Sequence, residues 1–477
     1  MSTNPDLCIV GAGALGIDLA LYARRLGASV VLADREQVEP GDARTLAVRA
    51  AALSASAALV QGMRAGAEMG LGATEVKLTA RQVAERVARV AAQQGRADAP
   101  EILSAAGVTV IRGLVSFLDS RSLLVGDLTI QPRAVVLALG GDPVIPAIAG
   151  LEAAEFFTPD TIFDNQRKLT HLVIIGGDAF AFEQAQVQRR LGAQVTLVPH
   201  GPALAGFDAE CVAILSNILA QEGVVIARDA QIAAVNTRSQ GIGVDLSHAD
   251  GTLESLDASH LLVSMDRRVD FAPLDLGKTK IKTSSETGYP SLRGTLGATS
   301  LRHVRVVGAG AGQSRWAEAQ AQGRAAIDSL LGQRRAVPLV PRIVETAPPL
   351  AEIGPLSGRK GKFKPGEQLL RQSFSENDRA VAMGAGHGLA KLSVDARGEI
   401  LEGAILGLQA PELAAVLALA MDRRISLADL AFLPLPRPSL FTIITQLAET
   451  YSGSKNVSLW TSHARTLRRV VRNPFGG

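Results

Sequence analysis
The chain of 477 residues holds only two cysteines, Cys8 and Cys211, too few for a disulfide framework. Both fall in apolar stretches and read as small buried residues. Aromatic residues make up 4% of the chain, and a net charge of +3 gives no global attraction to nucleic acid. The seven histidines (His171, His200, His248, His260, His303, His387 and His463) have no metal-ligand spacing, so no zinc or iron site is expected. The opening MSTNPD has no basic region, and Asp18 and nearby glycines interrupt the first apolar run. Neither a signal peptide nor a membrane span is therefore read, and a cytoplasmic location is expected. Hydrophobic residues at 47% and charged residues at 20% describe a globular chain with a large core, and the length suits about three domains.

What is present starts with residues 6–34, DLCIVGAGALGIDLALYARRLGASVVLAD. Residues 7–10 read as a buried parallel strand, 17–26 as a helix and 29–33 as a second strand closed by Asp34. Between strand and helix, Gly11, Gly13 and Gly16 stand in G-x-G-x-x-G spacing. The order fits a dinucleotide. Gly11 permits the tight turn, Gly13 lets backbone approach a pyrophosphate, and Gly16 lets helix and strand pack closely. The helix N-terminus offers unpaired N–H groups to phosphate, and Asp34 stands where a carboxylate takes the adenosine ribose hydroxyls.

The motif recurs. Residues 172–199, LVIIGGDAFAFEQAQVQRRLGAQVTLVP, match the first unit without a gap at an offset of 165, with Gly11 on Gly176 and RRLGA at 24–28 on RRLGA at 189–193. The second copy is altered where a nucleotide would lie: Gly13 becomes Asp178, Gly16 becomes Ala181 and Asp34 becomes Pro199. A carboxylate beside a pyrophosphate at about 4 Å costs about 4 kcal/mol at an effective dielectric of about 20, near a thousandfold in affinity. NAD(P)H binding is not expected there.

Further along, ALGG at 138–141 ends a buried strand in a glycine turn, and VRVVGAGAG at 304–312 leads through Gly308 into a helix at 315–331. Residues 336–366 are rich in proline, glycine and charge and read as a linker. Residues 388–406 read as a hairpin, and 411–421 as a helix. The tail at 459–472 is amphipathic, with Trp460, Ala464, Leu467 and Val471 opposite Arg465, Arg468, Arg469 and Arg472. Such a face suits a membrane surface or an acidic partner, or packs on its own dimer.

Together these features resemble the pyridine nucleotide-disulfide oxidoreductases, the family of dihydrolipoamide dehydrogenase and mercuric reductase. The resemblance implies an α/β fold of two Rossmann-like domains and a C-terminal α+β dimerisation domain. The expected divisions are 1–150 with 285–335 (FAD-binding type), 151–284 (NAD(P)-binding type, degenerate), 345–445 (dimerisation) and 446–477 (basic tail). It implies FAD held by Gly11, Gly13, Gly16, Asp34, Ala138, Gly140 and Gly308, and a homodimer. The family's reactive positions have been replaced. Its two redox cysteines fall on Asp42 and Ala47, the lysine near the flavin on Ala51, and the paired glycines on Glu39 and Pro40. Its His-Pro-Thr-x-x-Glu falls on Arg437 to Thr442, and its Gly-Asp on Gly308 and Ala309. Glu183 alone matches an acid that approaches the flavin, and Arg44 and Arg49 lie on the former redox helix.

Without the dithiol, exchange of the family type is chemically impossible. Two readings follow. One is an FAD-binding oxidoreductase flavoprotein that takes electrons from a protein donor, with FAD weakly held. The other is a non-catalytic dimeric scaffold or regulatory pseudoenzyme of the same fold.

Overall fold
The computed structural model describes residues 4–34, 43–72, 76–95, 100–239, 241–333, 335–354 and 364–454. The positions Glu39, Pro40 and Asp42, the tail at 459–472 and the Arg44 side chain lie outside the described residues. The chain forms two compact units. The first runs to Ala205 and resumes over Ser216–Val340, and the second comprises Gly206–Leu215 and the chain from Pro341.

The first unit contains both Rossmann-like sheets. Its opening elements are β1 (Leu7–Val10), α1 (Ala14–Arg25), β2 (Val30–Asp34), α2 (Ala43–Arg64), β3 (Val108–Arg112) and β4 (Ala134–Leu137). The second copy supplies β5 (His171–Ile175), α3 (Ala179–Arg190), β6 (Gln194–Val198), α4 (Ala209–Gln221, which belongs to the second unit as far as Leu215), β7 (Val224–Ile226) and β8 (His260–Val263). The chain then returns with β9 (Val304–Val306) and α5 (Trp316–Leu330). The sheets are parallel, in the orders β9-β4-β1-β2-β3 and β7-β6-β5-β8. β1 is buried on both faces, as a continuous apolar run in a parallel sheet requires. Leu7 and Ile9 join the cluster that includes Ala326 and Ile327 of α5, while Cys8 and Val10 join Phe117 and Leu123 on the other face.

The duplication is structural. The limits of α1 shifted by 165 residues are those of α3. Arg24 Nε donates to the Ala106 carbonyl (3.0 Å) and its Nη1 to Ala28 (2.7 Å). Arg189 repeats both bonds, to Glu222 (2.8 Å) and Ala193 (3.2 Å). The shared RRLGA is thus a device that ties the end of each helix to the approach of the next strand.

Helix α2 and the turn after it include Thr45–Met69, a stretch with a mean hydropathy of 1.4, long and apolar enough by those measures to cross a membrane. Leu46, Ala52, Leu53, Ala57 and Val60 are buried within the protein, while Leu59, Met63 and Met69 are exposed, and 22% of the most apolar part of the stretch is buried.

The second unit is a five-stranded antiparallel sheet of β10 (Arg342–Val344), β11 (Leu350–Ile353), β12 (Gln368–Ser373), β13 (Leu389–Val394) and β14 (Ile400–Leu406), ordered β10-β11-β14-β13-β12, with α6 (Ala410–Asp422) and α7 (Thr442–Ser454). The hairpin expected at 388–406 is β13 and β14. The linker expected at 336–366 is corrected in part, because β10 and β11 lie within it. Composition misled there: Pro348 and Pro349 occupy only the turn, while Val344, Leu350, Ala351 and Ile353 are buried core residues.

This sheet carries charge inside it. Arg342, Glu352, Ala404, Lys391 and Arg371 form one row across the five strands. Residues 206–211 bond along that row. The fully buried Glu352 accepts from the Asp208 N–H (2.7 Å) and from Arg342 (2.8 Å). Lys391 Nζ pairs with Asp208 (2.6 Å) and Glu210 (3.2 Å), and Arg371 pairs with Glu210. Burial pushes the Asp208 carboxyl up, but Lys391 and the Cys211 N–H outweigh it, and the net direction is below 3.8. Burial works against the charged Lys391, yet the two acids hold its pKa above 10.5. Removing one partner of a buried pair leaves an uncompensated charge. Lys391→Met is expected to lower unfolding free energy by about 3 kcal/mol in urea titration. A loss indistinguishable from zero would show that the pair contributes nothing.

Candidate functional site
The sequence-derived site residues converge at the carboxyl edge of the first sheet, where open parallel sheets bind their ligands. β1 ends beside Gly11, β2 at Asp34, β4 beside Ala138 and β9 two residues before Gly308. Gly11 donates its N–H to Ala33 (2.8 Å), and Ala138 donates to Val10 (2.8 Å). Gly11 has φ +107, and a Cβ there would stand 2.2 Å from the Ala138 carbonyl oxygen. A Cβ on Gly16 would stand 1.8 Å from the Gly11 oxygen. These two positions therefore require glycine. Gly140 (φ +73) faces open space, and Gly308 donates its N–H to the buried Gln322 side chain (3.1 Å).

Gly13 is the N-cap of α1, and no side chain caps that helix. Its first N–H groups and the positive end of its dipole are thus available to an anion. Asp34 reaches back to accept the Ala12 N–H (2.9 Å), which fixes the carboxylate at the rim of the turn. A cavity of about 110 Å³ opens there between Gly11, Asp34, Leu114, Leu139, Asp142 and Asp270. Leu114, Asp142 and Asp270 carry no motif, and no signal in the sequence singles them out. A larger groove of about 730 Å³ shares Asp142 and Asp270 but lies away from the glycine turn, whereas the smaller cavity is lined by Gly11 and Asp34. The residues present fit FAD: two glycines that only a bare backbone satisfies, an uncapped helix N-terminus and a carboxylate on the second strand.

The second cradle is built differently. Gly176 (φ +149) keeps the tight turn, with a Cβ position 2.0 Å from the Ser264 carbonyl. Asp178 is the N-cap of α3. Its Oδ1 accepts the Ala181 N–H (2.9 Å) and the Ser264 hydroxyl (2.8 Å). Burial pushes the Asp178 pKa up, and the nearby charge of Asp266 acts the same way, while the two hydrogen bonds and Arg315 oppose them. β6 ends at Val198, so Pro199 takes the place that Asp34 has in the first unit.

Ala47 and Ala51 are exposed on α2. Arg49, on the same helix, pairs with Asp164 (3.1 Å). Arg437 is exposed, and Thr442 donates to the Ser439 carbonyl (2.7 Å) while accepting from Asn377 (2.8 Å). The two thiols are free and buried; burial pushes Cys8 up to about 12 and also raises Cys211. Neither is a thiolate at neutral pH. Among the described residues no group of three or more His, Cys, Asp or Glu side chains is placed to hold a metal.

The family model for pyridine nucleotide-disulphide oxidoreductases matches residues 5–323, and the chain belongs to that family. It is 30% identical to a mercuric reductase of Streptomyces lividans over 59% of this chain and 60% of that one. It is 26% identical to a dihydrolipoyl dehydrogenase of Thermus scotoductus over 93% and 96% of the two chains. Among solved structures, LpdA from Mycobacterium tuberculosis superposes with a TM-score of 0.81 at 24% identity, covering 93% of this chain and 99% of that one. The HOCl-induced flavoprotein disulfide reductase RclA from Escherichia coli gives 0.78 at 20% identity, covering 93% and 99%. These structural likenesses are of fold.

Because Ala138 meets Gly11 through backbone, the clash of a new Cβ has no flexible side chain to absorb it. Gly11→Ala is expected to lower stability by about 2 kcal/mol and to weaken ADP binding to flavin-stripped protein about tenfold or more. Chemical denaturation and titration calorimetry read the two effects; unchanged ADP affinity would remove Gly11 from the cradle.

Proposed function
We propose that the chain is a homodimeric, cytoplasmic flavoprotein that holds FAD in its first unit, performs no disulfide exchange, and receives electrons from a reduced electron-carrier protein rather than from NAD(P)H. The observation that carries the reading is the difference between two helix N-termini of one repeat. That of α1 is free of any side-chain cap, and that of α3 is capped by Asp178. In this reading the turn from Gly11 to Gly16 and the first N–H groups of α1 hold the pyrophosphate, and Asp34 holds the adenosine ribose. Ala138, Gly140 and Gly308 line the remainder. FAD, when bound, supplies a two-electron acceptor. The chain's own residues bind and orient it. The buried thiols cannot act as nucleophiles, which supports the absence of disulfide exchange.

Isolated protein is expected to carry FAD that dithionite reduces and NADH or NADPH at millimolar concentration does not. Visible spectra and a flavin assay on denatured supernatant make the test. Bleaching by NADH would overturn the partner-donor reading. Colourless protein that excess FAD fails to reconstitute would leave the scaffold or pseudoenzyme reading, which the inert residues at 47, 51 and 437 favour.

The homodimer is supported by apolar side chains left exposed on the second unit, among them Phe432 (87% exposed) and Leu419 (56%). Light scattering at micromolar concentration should give twice the 49.8 kDa chain mass. Phe432→Asp is expected to weaken association about tenfold or more, since it puts a charge into a buried apolar contact. A wild-type mass of one chain would refute the dimer.

A further inference from the structure
We infer that the second Rossmann cradle is liganded from within: the Asp178 carboxylate occupies the position in which a dinucleotide pyrophosphate would sit, so the site is latent rather than dismantled. This deepens the reading that NAD(P)H is not the electron donor and rests on it.

Three observations support occupancy over simple decay. First, the cradle has kept its backbone form. Gly176 still makes the turn under the Ser264 carbonyl, as Gly11 does under Ala138. The helix behind it has the same limits, 165 residues on. Sheet order and the Arg189 ties also persist. Packing demands each of these features, so the turn persists as a place that Asp178 can fill.

Second, Asp178 is engaged as a ligand would be. Its Oδ1 takes the Ala181 N–H at 2.9 Å, one of the orphan donors that a helix start offers to an anion. It also takes the Ser264 hydroxyl at 2.8 Å, contributed from beyond the end of β8. The carboxylate thus receives one donor from each side of the crevice. α1 has no such internal partner.

Third, the surroundings favour an intramolecular anion over a diffusible one. The charged groups that act on Asp178 are Asp266 and Arg315. Asp266 repels negative charge and Arg315 attracts it, and the fixed Asp178 is held besides by its own backbone and two hydrogen bonds. Asp178 is half-buried, and burial raises its pKa.

The test uses full-length, flavin-loaded protein and two substitutions. Asp178→Gly empties the position. Asp178→Ser empties most of it while keeping a hydroxyl able to cap α3, so the helix start is retained if the glycine variant folds poorly. A third variant, Asp178→Asn, preserves shape and removes charge. Circular dichroism and flavin content confirm folding, and calorimetry with NADH and NADPH reads binding. The expected result is no wild-type binding at sub-millimolar ligand, a gain of about tenfold or more in Asp178→Gly or Asp178→Ser, and no gain in Asp178→Asn. Three results would overturn the inference. One is wild-type affinity equal to that of the emptied variants. Another is no gain in either folded, emptied variant, and the third is a gain in Asp178→Asn as large as in Asp178→Gly, which would make charge alone the obstacle. Flavin content is measured separately, so loss of the latent site and loss of the flavoprotein reading are distinguishable.

Discussion
Everything at the first cradle depends on one close approach of backbone to backbone. The end of β1 passes under the Ala138 carbonyl at a distance that excludes a Cβ on Gly11, and α1 starts so near that Gly16 cannot carry one either. Three segments are thereby brought together at the carboxyl edge of one sheet. The consequence is geometric before it is chemical. The turn is tight enough for α1 to start directly at the strand end, and among the described residues no side chain caps that start. Asp34 then needs only to stand at the end of the neighbouring strand, where its bond to the Ala12 N–H holds it.

The second copy separates the parts of this arrangement that serve the fold from those that serve a ligand. The turn glycine, the helix length and the arginine ties survive, because each is demanded by packing of strand, helix and next strand. Of the residues that changed, those at 178 and 199 have no such duty, whereas Ala181 replaces a glycine that close packing requires in the first unit. Asp178 in fact improves the helix as an isolated element, since a side-chain cap contributes roughly 1 kcal/mol that an uncapped start such as that of α1 forgoes. A side-chain cap and a bound anion compete for the same N–H groups; α3 carries the cap and α1 does not.

The same distinction explains what is legible in the sequence. Glycine spacing, buried strands and the offset of 165 are local signals, and they locate both sheets, α1 and α3. In the sequence Asp178 is only a bad neighbour for phosphate. Its cap on α3 is a bond to Ala181, only three residues on, but its meeting with Ser264 depends on a contact 86 residues away, which no local pattern announces. Leu114, Asp142 and Asp270 reach the first cavity from three separate segments for the same reason. At 336–366 the prolines draw attention from the buried positions of β10 and β11.

The polar interior of the C-terminal sheet extends this point to charge. Lys391, Glu352 and Asp208 are each buried, a state that sequence patterning reads as an error in a strand. They are tolerated because residues 208 and 210 bring acids to the row across the sheet, so that the Lys391 ammonium taken from water meets opposite charges at 2.6 and 3.2 Å. An apolar row of similar volume would fold as well or better. What the charges add is selectivity of register. Slipping β13 by one residue turns Lys391 to the other face and leaves both Asp208 and Glu210 without its ammonium. The sheet therefore accepts only one alignment with the segment that begins α4, and it is the cost of the wrong alignments, more than the strength of the right one, that these buried ions supply.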